Sequence, residues 1–101
     1  ARACHREGAT LAFTYQGERV EDRVRDLAKE FGSELVFPCD VAVDAQIEAL
    51  FRDLSAQWDG LDGLVHSIAF APREALAGDF LDSISREAFA IAHDVSSYSF
   101  A

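Results

Sequence analysis

Apolar and polar positions switch between two periods along this chain, and the switches mark its elements. Ala1 to Glu7 reads as a helix end stopped by Gly8, the residue type that most readily turns left-handed past a helix C-terminus. Thr10 to Tyr15, rich in β-branched and aromatic residues, predicts a strand, and Gln16-Gly17 turns the chain. From Glu18 to Phe31 the apolar residues Val20, Val24, Leu27, Ala28 and Phe31 fall on one helical face, and Gly32 ends the run. Glu34 to Pro38 predicts a second short strand, with Pro38 at its end where a ladder donor can be spared.

Cys39-Asp40-Val41-Ala42 is a loop, and Asp44 is placed to N-cap the next helix through its carboxylate. That helix is expected to bury Ile47, Leu50, Phe51, Leu54 and Trp58 on one face, and Asp59-Gly60 closes it. Leu61 to Ser67 predicts a third strand. It is apolar on both faces, as in a parallel sheet covered by helices. Ala69 to Ser83 is mostly loop with room for a short helical turn. Ser85 caps a last helix that starts at Arg86. One side of that helix is small, with Ala88, Ala92, Ser96 and Ser99, which allows close packing against another helix.

The order of elements is helix end, strand, helix, strand, helix, strand, loop, helix. Such alternation predicts an α/β layer fold with a parallel sheet and helices on both faces. No repeat, low-complexity segment or flexible linker interrupts residues 1–101, so one domain is expected. In sheets of this kind ligands sit beyond the carboxyl ends of the strands. Chemistry is therefore expected at Tyr15-Gln16, at Cys39-Asp40-Val41 and at Ser67-Ile68-Ala69-Phe70-Ala71.

Charge narrows the partners. Eighteen acids against nine bases leave a net charge of −9 and no basic face to meet phosphates, so nucleic acid is not an expected partner. No apolar run approaches the ~20 residues of a membrane helix, and Ala1 to Gly8 has no signal-peptide character. Cys4 and Cys39 lack a redox or metal spacing, which fits a reduced, cytoplasmic setting. His5, His66 and His93 lie too far apart for a zinc site, so no metal is expected.

Each strand end admits two readings. Gln16 stands where dinucleotide-binding folds carry a residue that bonds the adenosine ribose, and a glutamine before a glycine is more often a turn residue. Asp40 can accept from an adenine amino group while Val41 packs on the ring, or it can bond nearby backbone as a turn residue. The small residues after Ser67 permit close approach to a flat ligand, or simply give a tight exit from a buried strand. His66, alone in an apolar strand, reads as a packed, hydrogen-bonded residue rather than a catalyst. No Gly-x-Gly-x-x-Gly or P-loop occurs.

Five strings follow one another with family-like spacing. They are Arg6-Glu7-Gly8-Ala9, Leu11-Ala12-Phe13-Thr14-Tyr15-Gln16, Cys39-Asp40-Val41-Ala42, His66-Ser67-Ile68-Ala69-Phe70-Ala71-Pro72 and Ile91-Ala92-His93-Asp94-Val95-Ser96-Ser97-Tyr98-Ser99-Phe100. Together they resemble the bacterial NADH-dependent enoyl-acyl-carrier-protein reductases of type II fatty-acid synthesis, a divergent branch of the short-chain dehydrogenase/reductase superfamily. The resemblance covers essentially the whole chain. It implies a Rossmann fold that binds NADH/NAD, and reduction of trans-2-enoyl thioesters carried by acyl carrier protein. By the resemblance, Gln16 binds the ribose, Asp40 and Val41 bind the adenine, Ile68 touches the nicotinamide half and Ala71 borders the enoyl-substrate pocket. Ala69 stands where the family commonly has glycine, and its methyl narrows the space near the nicotinamide. The last helix resembles the one used in subunit packing, which implies a homo-oligomer, a tetramer.

The same resemblance sets aside part of the machinery. The family's first strand and glycine-rich loop are expected before Ala1, and its catalytic tyrosines and lysine after Ala101. Neither Tyr15 nor Tyr98 aligns with a catalytic tyrosine, and Lys29 lies on a solvent-facing helix, so no catalytic residue is expected within the chain. The expected fold is therefore an incomplete Rossmann sheet holding the second, third and fourth strands. Without the first strand, a gap of ~9.5 Å separates the second from the fourth. Buried edge groups on both sides then lack partners, each at ~1–3 kcal/mol. The alternative function is a non-catalytic dinucleotide-binding or regulatory module of the same fold, or another short-chain reductase, since fold does not settle function.

Overall fold

The computed structural model describes residues 1–101, which form two compact units, 1–60 and 61–101. The first unit runs α1 (Arg2–Arg6), β1 (Phe13–Tyr15), a 3₁₀ turn (Glu18–Val20), α2 (Glu21–Lys29), β2 (Val36–Pro38) and α3 (Asp44–Ser55). β1 and β2 pair in parallel, with Phe13 opposite Val36, Thr14 opposite Phe37 and Tyr15 opposite Pro38. A parallel pair needs a crossover, and α2 supplies it, packing on both strands. Pro38 costs nothing at the ladder end, as its position in the sequence anticipates.

α2 stops in a closing loop at Gly32, whose φ of +64° suits glycine, while the Ser33 N–H reaches back to the Ala28 carbonyl at 3.1 Å. Ser33 is buried and fully used. Its hydroxyl donates to the Leu11 carbonyl at 2.6 Å and accepts from the Leu35 N–H at 3.2 Å. It therefore ties the approach to β1 to the approach to β2. Ala28, Val36, Cys39 and Leu54 are the buried apolar residues of this unit. Phe31 extends the packing, stacked on Phe13 at 5.7 Å and meeting His5 edge-on at 5.5 Å.

Two expectations for the first unit are corrected. Asp44 is the first residue of α3 rather than its cap; Val43, in extended conformation, precedes the helix and no side chain caps it. The chain already turns at Asp40, whose carbonyl accepts from the Val43 N–H at 3.0 Å, so the helix starts one residue early. Of the face expected to be buried, only Leu54 is; Phe51 is exposed, and Ile47, Leu50 and Trp58 are half-buried. A two-stranded sheet is too narrow to cover that face.

The second unit contains a 3₁₀ turn (Arg73–Leu76), α4 (Phe80–Ser83), α5 (Arg86–Ser96) and a closing 3₁₀ turn (Tyr98–Phe100). Ser85 caps α5 as expected, accepting from the Ala88 N–H at 3.0 Å. Leu61 to Ser67, expected as a strand, has no ladder and is not one; Leu64 and Val65 are exposed. A strand exists through its pairing, and no neighbouring strand lies beside this segment. Within this unit Ser96, on the small face of α5, bonds the Phe70 backbone, and α5 packs on the 3₁₀ turn that follows Pro72.

Both units leave large apolar side chains exposed, Leu27, Val43 and Phe51 in the first among them. Phe70, Phe80, Leu81, Phe89 and Phe100 are among the large apolar residues left exposed. The elements are those of an α/β domain whose helices have more apolar face than the sheet can cover.

Candidate functional site

The carboxyl ends of β1 and β2 lie side by side, because a parallel register puts Tyr15 opposite Pro38. The next bond past the ladder runs from the Cys39 N–H to the Tyr15 carbonyl at 2.8 Å. The two loops that follow therefore leave from one edge.

The first of these loops begins with Gln16, exposed and making no hydrogen bond within the chain. Gly17 follows with φ +79°, a conformation that any side chain would strain. The turn leads into α2, where Arg25 Nε donates to the Glu21 carboxylate at 2.8 Å. That bond, and a second from Tyr15, hold the Glu21 carboxyl below the usual carboxylate range. Hydrogen bonding to Glu21 in turn raises the Tyr15 phenol above its ordinary value. Arg25 is thus committed to Glu21, and Arg19 makes no ion pair.

The second loop is built around Asp40. Its Oδ1 accepts from the Ala42 N–H at 3.0 Å, the turn-residue reading, while Oδ2 makes no bond within the chain. Its own N–H donates to the Gln46 side-chain carbonyl at 2.8 Å. Gln46 was not anticipated from the sequence, and only its place six residues on, one turn into a helix, marked it. Val41 beside it is half-buried. Cys39 is buried, and desolvation with the neighbouring Asp40 charge pushes its thiol up. The donor set suits a nucleoside: an unengaged amide for hydroxyls, an open carboxylate oxygen for an exocyclic amine, and an apolar side chain for a ring. Gln16, Asp40 and Val41 thus gather at one sheet edge.

The second unit holds Ile68 and Ala71, both half-buried, the latter against buried Pro72. Their segment is fixed from α5 and the turn after it. Ser96 Oγ accepts from the Phe70 N–H at 2.9 Å and donates to the Phe70 carbonyl at 3.1 Å. His66 Nε2 lies 2.9 Å from Ser99 Oγ, and its ring meets Phe100 edge-on at 5.6 Å. His66 is the half-buried, hydrogen-bonded residue expected. Ser96 and Ser99, read from the sequence as a packing face, turn out to bind the segment directly. Ser96 ends α5 and Ser99 lies in the 3₁₀ turn after it, so the pair does not share the single helix face that the sequence pattern assigned it.

A parallel α/β pair with polar loops at adjoining strand ends defines the class, an incomplete Rossmann-type fold. The sequence matches the family "Enoyl-(Acyl carrier protein) reductase" over residues 1–101. It is 65% identical to the enoyl-acyl-carrier-protein reductase (NADH) of Neisseria meningitidis over 99 residues, covering 98% of this chain and 38% of that protein. It is 53% identical to the Escherichia coli enzyme of the same name, over 99% of this chain and 38% of that one. The crystal structure of the Aquifex aeolicus enoyl-acyl-carrier-protein reductase (NADH) superposes with a TM-score of 0.93 at 52% identity, over 98% of this chain and 39% of that one. The chain belongs to the enoyl-acyl-carrier-protein reductase family, and it spans about 38% of the length of these curated relatives.

Proposed function

We propose that this chain is a segment of an NADH-dependent enoyl-acyl-carrier-protein reductase, which reduces trans-2-enoyl thioesters during fatty-acid elongation. The observation that carries the reading is the family match over every residue, joined to a strand-end edge whose donor set suits a nucleoside. In this reading residues 1–101 are part of one dinucleotide-binding domain.

Gln16 bonds the adenosine ribose, Asp40 Oδ2 accepts from the adenine amino group and Val41 packs on the ring. Ile68 borders the nicotinamide half, and Ala71 borders the acyl pocket. NADH, when bound, supplies the hydride. The residues of this chain bind and orient; proton chemistry belongs to tyrosine and lysine residues outside it. The preference for NADH is supported by Glu18 and Glu21 beside Gln16 and by Arg25 being held by Glu21, which leaves Arg19 as the one nearby cation for a 2′-phosphate.

Phe89, Ile91 and Tyr98, exposed along and after α5, support a homo-oligomer built through this helix, a tetramer in the family's pattern. No helix is long and apolar enough to cross a membrane, and we place the enzyme in the cytoplasm. The test is an assay of the full-length protein with NADH and a crotonyl thioester. Thioester-dependent loss of NADH absorbance is the expected result. Tight NADH binding without turnover would instead favour a non-catalytic dinucleotide-binding module.

A further inference from the structure

Residues 66–70 have no strand partner, yet they are anchored at two points four residues apart. At Phe70 one hydroxyl does the work of a neighbouring strand. A residue in a hydrogen-bonded antiparallel pair exchanges both its N–H and its C=O bonds with its partner. Ser96 Oγ takes the Phe70 N–H at 2.9 Å and returns its own proton to the Phe70 carbonyl at 3.1 Å, which uses its donor and an acceptor site together.

At His66 the direction of the bond follows from counting protons. Ser99 Oγ has one hydrogen and places it on the Val95 carbonyl at 2.7 Å. Towards His66 it can only accept, so His66 carries its proton on Nε2. Phe100 closes the ring's edge-on contact. Between the two anchors lie Ser67, Ile68 and Ala69.

We infer that Ser96 and Ser99 are positioning residues for cofactor binding, two side-chain clamps that hold the 66–70 segment, one through the His66 ring and one through the Phe70 backbone, so that Ile68 is presented in one fixed conformation. The inference rests on the reading above that Ile68 borders the nicotinamide half. The clamps touch neither cofactor nor substrate. They act by removing the freedom the segment would otherwise lose on binding, so their loss weakens recognition of the nicotinamide half alone. The Phe70 N–H and the Ser96 hydroxyl are exposed, so water can replace the clamp and the rest of the fold survives.

The test uses the full-length protein with two titrants, NADH and ADP-ribose; the second lacks the nicotinamide. In Ser96→Ala the Kd for NADH is expected to rise about tenfold while that for ADP-ribose stays put, two lost neutral hydrogen bonds setting the scale. Ser96→Thr keeps the hydroxyl and is expected to restore NADH binding. Ser99→Ala, which removes the His66 link and the bond to the Val95 carbonyl but leaves the Phe70 clamp intact, gives a smaller loss in the same direction, and it carries the test alone if Ser96→Ala does not melt cooperatively. Unchanged NADH affinity, or parallel losses for NADH and ADP-ribose, overturns the inference and leaves the functional reading standing. Wild-type protein that binds neither titrant overturns both.

Discussion

The Cys39 N–H donates to the Tyr15 carbonyl at 2.8 Å, one step beyond the β1–β2 ladder. This bond carries the pairing past the last strand residues, so Gln16 and Asp40 leave one edge in a fixed relation. Asp40 is held further by Ala42 and Gln46, whereas Gln16 is unengaged. The two residues should therefore respond differently to substitution.

Gln16→Ala in the full-length protein is expected to leave the melting temperature unchanged and to weaken NADH binding several-fold. Asp40→Ala removes both the acceptor for Ala42 and the open Oδ2. It is expected to lower stability by about 1 kcal/mol and to raise the NADH Kd about tenfold or more. Paired calorimetric melts and NADH titrations check both. Equal stability losses would mean that Gln16 has a structural partner.

Cofactor choice follows from charge at the same edge. With Arg25 committed to Glu21, the full-length enzyme is expected to prefer NADH over NADPH in kcat/KM. Gln16→Arg adds a cation beside the ribose and is expected to shift that ratio towards NADPH, because guanidinium groups pair well with phosphate. A wild-type preference for NADPH would remove the argument.

The Cys39 thiol is raised above its ordinary value of 9.0 by burial and by the Asp40 charge. The folded state thus holds its proton when the unfolded chain has lost it. The resulting stabilisation is complete below 9.0 and is lost as pH rises through the folded value. Tyr15, raised from 10.0, acts in the same sense at higher pH. Glu21 has the opposite sign: its lowered carboxyl favours the fold above its ordinary 4.5, and that contribution goes as pH falls through the folded value. Cys39 is expected to resist alkylation at pH 8 in the native full-length protein and to react in denaturant, as read by mass spectrometry. Cys39→Ala is expected to flatten the alkaline part of the stability profile.

Residues 1–101 alone are expected not to unfold cooperatively. Phe70, Leu81, Phe89 and Phe100 are exposed, and the segment from Leu61 to Ser67 has no ladder. Expressed by themselves, they should show a broad, low-amplitude thermal transition and bind a hydrophobic dye. A sharp calorimetric melt would contradict this.

Local features were legible where local chemistry decides them. Gly8, Gly17 and Gly32 mark turns because each adopts positive φ. Ser85 was readable as a cap because the pattern of a hydroxyl before an apolar run is local. Pro38 at a strand end and the periodicity of α2 and α3 were equally readable. Asp44 misled because two acids, Asp40 and Asp44, bracket one turn, and the carbonyl of the first sets where the helix starts. The small face of α5 was visible, but its partner was not, since alanine and serine spacing permits close approach without saying to what.

The sequence by itself determined the order of elements through α3, the parallel α/β class and, through five strings in register, the family. Those depend on side-chain periodicity and residue type along the chain. Tertiary structure alone decided that Leu61 to Ser67 is not a strand here and that Ser96 and Ser99 hold Phe70 and His66. Each of these is a bond between groups distant in sequence or a pairing that needs a second strand. Such partners follow from how the chain is placed in space, which no local pattern of residues records.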